Sequence, residues 1–354
     1  MSSATEKKKP VVLHIGDPVK HNQEVYNRFA SEFTLIRPEV EERQRGPFLQ
    51  ALRDRKWGDF DAVFRPFWNT GGEMGRWDEE LIPLLPKSMK IYASAGAGYD
   101  WADVDILAEH GIIYCNGAQA SSEAVADMAI FHILCVFRNL AWSQLAARSG
   151  DAAEWTDAHK YVTMSSHNPQ GHSLGIIGLG NIGAAIARKA HACFGVEIRY
   201  HDIVRKTAEQ EAAAGGAAFA PTLDGLLAAA DCVVLATPFG GSVLIDRERL
   251  AKFKRGSRFV NIARGTLVDE DALVDALESG RLHAAGLDVF AHEPRVHPAL
   301  CRMRNVSLTC HNAGGAIETN FGFERLAMEN IEAFLLKGKA LTPVNAHLMK
   351  SNGV

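Results

Sequence analysis

Residues 175–202 read GIIGLGNIGAAIARKAHACFGVEIRYHD. Gly178, Gly180 and Gly183 form G-x-G-x-x-G directly after an apolar run, SLGIIG from Ser173, and at the mouth of an alanine-rich helix expected over residues 181–193. A lone G-x-G-x-x-G is a weak signal, but strand before and helix after make it specific. The first two glycines allow a tight turn and a close backbone approach to a pyrophosphate, and the third lets helix and strand pack together. Asn181 and Ile182 then open the helix whose unpaired N–H groups face the phosphate charge. Asp202 ends the next strand, 24 residues after Gly178. A carboxylate there hydrogen-bonds ribose hydroxyls and repels a 2′-phosphate, so the pattern favours NAD over NADP. Arg205 and Lys206 follow closely as the counter-signal.

Working outward, this stretch opens a series in which short β-rich runs alternate with helical stretches. The strands are SLGIIG, VEIRYHD, DCVVLAT, SRFVNIA, HAAGLDVF and NVSLTC, with helices expected over residues 181–193, 223–230 and 270–279. Upstream lies a similar series: VVLHIG from Val11, TLIR from Thr34, DAVFRPF from Asp61, MKIYASA from Met89 and IIYCN from Ile112. Helices are expected over residues 22–30, 47–55 and 77–85 and from Val104. Such alternation argues for parallel sheets covered on both faces. A long helix over residues 122–148 and an irregular connection over 149–172 separate the two series, and a last helix is expected over 323–336. The fold class is therefore α/β, with two doubly wound parallel-sheet domains.

A chain of 354 residues exceeds the usual reach of one hydrophobic core, which also points to two domains. At 47% hydrophobic and 23% charged the composition is that of a soluble globular protein. With 38 basic against 42 acidic residues, the formal charge of −4 is too even for a surface built to neutralise nucleic-acid phosphates. Six scattered cysteines make no disulfide framework and read as small hydrophobes in a reducing compartment. MSSATEKKKP is polar, without the apolar core of a secretory signal, and reads as a loose tail. The most apolar run, residues 128–137, falls short of the about twenty residues that cross a membrane. The expected location is cytoplasmic, with no membrane partner.

Three strand-end segments carry polar groups to the sheet edge where a dinucleotide sits. VNIARGTLVDEDAL places Arg264 just after a strand, GLDVFAHEP places Asp288 and Glu293 around another strand end, and LTCHNAGG places His311 after the last. Thr237, Pro238 and Ala263 end strands at the same edge and complete the expected cofactor set. Oxidising a 2-hydroxy acid requires a base for the hydroxyl proton and a cation for the carboxylate. Histidine suits the first because its ordinary pKa of about 6.5 lies near working pH. Arginine suits the second because its planar fork matches a carboxylate. A carboxylate on the other imidazole nitrogen would orient the ring and favour its protonated form during reduction.

In the order SAGAGYDWADVD, GLGNIG, NIARGTLVDEDAL, GLDVFAHEP and LTCHNAGG, the chain resembles the D-isomer-specific 2-hydroxyacid dehydrogenases over residues 60–335. The resemblance implies a Rossmann-type NAD-binding domain over 117–317. It implies a flavodoxin-like substrate domain over 1–116 and 318–354, with the active site in the cleft between them, where hinge closure would exclude water. It implies Arg264 as the substrate-binding and polarising arginine, His311 as acid/base with Glu293 as its partner, and Asp288 near the nicotinamide carboxamide. Backbone N–H groups of Ala97 and Gly98 would bind the substrate carboxylate. A homodimer through the nucleotide domain is also implied, in keeping with a helix from Ser122 that is apolar around much of its circumference.

Two features depart from the family pattern. Cys310 stands where a proline usually precedes the histidine, and a thiol cannot fix φ as proline does. FRPFWNTGGEMGRW from Phe64 is longer and more aromatic than a minimal loop. Phe67, Trp68 and Trp77 would form an apolar wall for a bulky substrate side chain, with Trp68 the contact residue. The overall pattern is similar to fungal D-mandelate dehydrogenases, which implies exchange between mandelate and phenylglyoxylate. Glyoxylate or hydroxypyruvate reduction is the alternative, and a non-catalytic NAD-sensing interaction protein is another. Formate dehydrogenases are similar but carry Gln where Glu293 stands. HEPRVHPALCRMRNVSLTCH, residues 292–311, concentrates three histidines and two cysteines, but its spacing matches no standard zinc pattern and no metal is expected.

Overall fold

The structure is a computed structural model and describes residues 8–349. The tail reading of the first residues falls, over 1–7, outside the described residues. In chain order the first series gives β1 (Val11–His14), α1 (Gln23–Glu32), β2 (Thr34–Ile36), α2 (Arg45–Arg53), β3 (Ala62–Arg65), β4 (Ile91–Ser94), α3 (Val104–Glu109) and β5 (Ile113–Cys115). Then come α4 (Ala118–Arg138), α5 (Leu140–Ser149) and α6 (Ala152–Ser165). The second series is β6 (Ser173–Ile177), α7 (Asn181–Phe194), β7 (Glu197–His201), α8 (Ala208–Ala213), β8 (Ala218–Phe219), α9 (Leu223–Ala229) and β9 (Cys232–Leu235). It continues through α10 (Arg247–Lys252), β10 (Ser257–Asn261), α11 (Glu270–Glu278), β11 (Leu282–Leu287), α12 (Pro298–Arg302) and β12 (Val306–Leu308), and α13 (Ile317–Lys337) follows.

These elements form two compact units, one made of residues up to Ser121 with those from Ala316 onward, the other of Ser122–Gly315. The first holds a five-stranded parallel sheet in the order β2-β1-β3-β4-β5. The second holds a seven-stranded parallel sheet in the order β12-β11-β10-β9-β6-β7-β8. The first order is the flavodoxin-like one, and the second is the Rossmann order with an added edge strand. The α/β class read from the sequence is therefore the observed class.

Both sheets are buried on both faces because successive side chains point to opposite sides. In β1, Leu13 joins Phe48, Trp77 and Tyr92 on one face, while Val12 joins Phe29, Met328 and Ile331 on the other. In β9, Cys232 and Val234 pack with Ile186 and Tyr200, while Val233 and Leu235 pack with Leu226 and Leu273. The C-terminal α13 belongs to the first unit. Its fully buried Glu324 accepts bonds from the backbone N–H groups of Lys20, His21 and Asn22 at 2.6–3.2 Å, beside the start of α1.

Several local expectations are corrected. The single helix expected over 122–148 is two, because Asn139 adopts φ 49° and its amide donates to Ser165 Oγ at 3.0 Å. Asparagine is among the few residues that take this conformation readily. The segment read as an irregular connection is mostly α6, whose N-terminus is capped by Asp151 accepting from Ala153 and Glu154 N–H at 2.7 and 3.1 Å. Asp151 followed three residues later by Glu154 was a readable helix-start signal. Over residues 77–85 only a 3-10 turn forms, Ile82–Leu84, with Pro83 inside it. The last helix begins at Ile317 and not Phe323; its first turns expose Ile317 and Phe321, which obscures the period. The short helices α8, α10 and α12 and the strand β8 are further additions to the expected elements, too short to show a period although Thr207, Asp246 and His297 cap the helices.

Candidate active site

The glycine loop joins β6 to α7, next to β9 where the strand order reverses. Gly178 has φ 91°, and a Cβ there would lie 3.0 Å from the Ala236 carbonyl oxygen and 3.1 Å from Thr237 Cα. A Cβ on Gly183 would run into the Gly178 carbonyl. Both glycines are thus required by the protein's own packing. Gly180, the N-cap of α7, differs, since a Cβ there would meet nothing within 4 Å. Its missing side chain leaves open space at a helix N-terminus, where a dinucleotide pyrophosphate needs close backbone approach. The residues fit the cofactor on that ground. Asn181 and Ile182 form the first turn of α7, and Thr237 and Pro238 follow β9 beside the loop.

Asp202 stands at the end of β7. Its Oδ2 accepts the Leu179 N–H at 2.9 Å and pairs with Lys206 Nζ at 3.0 Å. The carboxylate is thereby tied to the glycine loop itself. Arg205, the other cation noted here, is turned to Glu211 at 3.0 Å.

Glu293 and His311 meet after an intervening segment that contains α12 and β12. His311 Nδ1 donates to Glu293 Oε2 at 2.7 Å, and Glu293 Oε1 accepts the Phe290 N–H at 3.0 Å. A carboxylate only accepts, so the proton of this bond sits on Nδ1 and Nε2 is the nitrogen left for exchange. His311 itself has φ 49°, an uncommon conformation for a non-glycine residue. The imidazole is 42% exposed, so it is open to a reactant.

Arg264 follows β10. Its backbone carbonyl accepts from Asn261 Nδ2 at 2.9 Å, Asn261 Oδ1 accepts the Ala263 N–H at 3.0 Å, and Arg264 Nη1 donates to the Ala263 carbonyl at 2.8 Å. Asn261 is buried and was not singled out from the sequence; its place at a strand end before the arginine is the available signal. The next residue, Gly265, lies so close to the Phe290–Ala291 backbone that a Cβ would overlap it. The Arg264 turn and the segment leading to Glu293 are therefore in backbone contact.

Asp288 is 1% exposed. Its carboxylate accepts from Thr309 Oγ1 at 2.6 Å, Asn312 N–H at 3.1 Å and Ala313 N–H at 3.0 Å, and its carbonyl accepts the His311 N–H at 2.7 Å. Buried His132 joins this network through its Nε2, 3.0 Å from Thr309 Oγ1, and a contact between such distant elements has no local signature in the sequence.

In the first unit, Ala97 and Gly98 follow β4. The carbonyls of Gly96 and Ala97 accept from Gly117 N–H at 2.7 Å and Asn116 Nδ2 at 2.8 Å. The aromatic loop lies beside this turn, since a Cβ on Gly96 would sit 3.9 Å from Trp68 Cβ. Buried Arg65 holds that loop by donating to the Trp68 and Thr70 carbonyls at 2.7 and 3.0 Å. The expected three-residue aromatic wall is corrected. Trp77 is fully buried against Tyr92 and Phe48 in the unit's core, and Phe67 is also buried, beneath Lys20. Trp68 alone of the three is exposed, at 48%.

The cysteines also divide more evenly than expected: Cys115, Cys135 and Cys232 are buried, while Cys193, Cys301 and Cys310 are exposed. In the His-Cys stretch, His297 Nδ1 accepts the Ala299 N–H at 3.2 Å as the cap of α12, and its Nε2 pairs with Asp271 at 3.1 Å.

Residues 130–313 match the family model described as D-isomer specific 2-hydroxyacid dehydrogenase, NAD binding domain. The chain is 42% identical to the holo D-mandelate dehydrogenase of Rhodotorula graminis, with a TM-score of 0.90 over 96% of this chain and 98% of that one. It is 34% identical to the 4-methyl-2-oxopentanoate reductase A of Aspergillus oryzae over 95% of this chain and 98% of the relative. It is 32% identical to glyoxylate reductase 1 of Saccharomyces cerevisiae over 95% of each.

Proposed function

We propose that this chain, which belongs to the D-isomer-specific 2-hydroxyacid dehydrogenases, acts on a D-2-hydroxy acid with a bulky or aromatic side chain, as in mandelate and phenylglyoxylate. It is an NAD-dependent oxidoreductase that interconverts a D-2-hydroxy acid and its 2-oxo acid. NAD(H), when bound, accepts or supplies the hydride. His311 Nε2 takes the hydroxyl proton during oxidation and returns it to the oxo oxygen during reduction. Glu293 holds the ring by Nδ1 and stabilises the imidazolium that oxidation leaves. Arg264 binds the carboxylate and polarises the reacting carbonyl. In the first unit, the backbone N–H groups of Ala97 and Gly98 are donors suited to a substrate carboxylate. Asp202, with Ala263, Thr237, Pro238 and the glycine loop, holds the cofactor and disfavours a 2′-phosphate.

The observation that carries the substrate reading is Trp68, an exposed indole fixed beside the 95–98 turn by a buried arginine. An apolar wall next to a carboxylate-binding turn suits a large side chain and has little to offer glyoxylate. The relatives named as glyoxylate reductases favour the second reading, reduction of small 2-oxo acids such as glyoxylate or hydroxypyruvate. NADH oxidation with phenylglyoxylate, 4-methyl-2-oxopentanoate, pyruvate and glyoxylate separates the two. The expected result is a kcat/KM for phenylglyoxylate at least about tenfold above that for pyruvate, since burying a large side chain is worth more than 1.4 kcal/mol. Trp68→Ala is expected to remove most of that difference by damaging the bulky substrate selectively. Equal kcat/KM for phenylglyoxylate and pyruvate in the parent enzyme would reject the aromatic reading.

A homodimer through the nucleotide-binding unit completes the proposal. Phe131, Leu145, Trp155, Tyr161 and Met164 are large apolar side chains exposed on α4, α5 and α6. Exposed apolar groups in such number favour a protein partner, and a second copy meets the chemistry with the same residues. Light scattering is expected to give twice the chain mass for the parent protein and the single-chain mass for Trp155→Asp combined with Met164→Asp. A parent protein of single-chain mass at micromolar concentration contradicts the dimer.

A further inference from the structure

His132 lies on α4, fully buried, in the second unit. Its Nδ1 is 3.0 Å from Ser307 Oγ and its Nε2 is 3.0 Å from Thr309 Oγ1. Thr309 Oγ1 is in turn 2.6 Å from Asp288 Oδ1. The direction of this chain follows from proton counting. A hydroxyl has one proton, and an ionised carboxylate only accepts, so Thr309 donates to Asp288. Thr309 Oγ1 must then accept from His132, which places the imidazole proton on Nε2 and leaves Nδ1 to accept from Ser307. Burial pushes the His132 pKa down to about 4, so the ring is neutral at working pH. A second observation shows that the fold makes room for this ring. A Cβ on Gly286 in β11 would lie 2.8 Å from His132 Cβ and 3.0 Å from its Cγ and Nδ1.

The chain ends on the loop that carries His311. Asp288 receives the Thr309 hydroxyl and the N–H groups of His311, Asn312 and Ala313. Those four bonds fix a turn in which His311 has a positive φ and Cys310 has no ring closure to limit its own backbone. We propose that His132, Thr309 and Asp288 form a positioning array that sets the 309–313 turn and so presents the His311 imidazole to Glu293 and to the reacting oxygen. The inference rests on His311 as the proton-exchanging group.

Thr309→Val keeps the side-chain shape and removes both hydroxyl bonds. The expected result is a kcat lower by on the order of tenfold to a hundredfold, because small displacements of a reacting group cost that much. KM and Kd for NADH are expected to change far less than kcat, since the glycine loop and Asp202 are untouched and Asp288 keeps its bonds from the Asn312 and Ala313 N–H groups. Thr309→Ser restores the hydroxyl and is expected to bring kcat back near the parent value. 15N-histidine NMR of the parent protein, with the His132 signals assigned by their loss in His132→Gln, is expected to show His132 held in the Nε2–H tautomer without titrating between pH 5 and 8, as buried His14 also should through its Nε2 bond to the Asp17 carbonyl. A folded Thr309→Val enzyme with parent kcat overturns the proposal, as does a buried His132 in the Nδ1–H tautomer. His311→Gln measured alongside separates the failures. Loss of activity in His311→Gln with none in Thr309→Val removes the array alone, whereas an active His311→Gln enzyme removes both the array's purpose and the acid/base reading.

Discussion

Replacing His311 by Gln is expected to lower kcat by on the order of a hundredfold to ten-thousandfold, the range of general acid–base contributions. Glutamine retains a donor able to meet Glu293 Oε2, now held 2.7 Å from His311 Nδ1. It has no nitrogen that exchanges a proton near neutral pH. The side chain is partly exposed and fills no core, so folding should be preserved. The dinucleotide is held in the proposed site by the Gly178–Gly183 loop and Asp202, so NADH affinity should remain within about twofold, a loss confined to the transition state. Steady-state kinetics with a 2-oxo acid, together with a fluorescence titration of NADH, measures both. A near-parent kcat would end the assignment of His311 as the acid/base.

Gly265→Ala is expected to damage both stability and turnover. The added methyl would overlap the backbone carbonyl of Phe290 and the nitrogen of Ala291, and neither can swing away as a flexible side chain would. Relief requires the Arg264 turn to separate from the segment leading to Glu293. Forcing one extra carbon into packed backbone costs typically 1–3 kcal/mol and at times more; here about 3 kcal/mol is expected. Arg264 and Glu293 move apart in the same step, so kcat/KM should fall on the order of a hundredfold in the protein that still folds. Denaturant unfolding and 2-oxo acid kinetics measure the two effects. Parent-like stability and kcat/KM in Gly265→Ala would show that the close approach is not maintained in solution.

The segments legible in the sequence share one property: their signals are local. The G-x-G-x-x-G turn, the strand before it and the helix after it occupy one short window, and the two alternating series yielded the parallel-sheet class. The α6 helix is announced by Asp151 and Glu154, but Ser, Asn and Pro around residues 165–169 obscure its weak helical period. The break at Asn139 has no strong local signal, since the bond that holds it reaches Ser165 on another helix. Trp68 and Trp77, nine positions apart in one loop, were indistinguishable as sequence; one is exposed and the other fully buried.

The sequence by itself determined the sheet class, the nucleotide loop and the residue types able to move a proton and hold a carboxylate. Backbone period, turn chemistry and motif spacing are properties of neighbouring residues. Tertiary structure alone decided that Glu293 meets His311 across an intervening helix and strand, and that Gly265 presses the Arg264 turn onto Phe290. It also decided that a buried histidine on α4 reaches Thr309. Each of these depends on how separate elements pack, and close packing is set by the shapes of residues far apart in the chain.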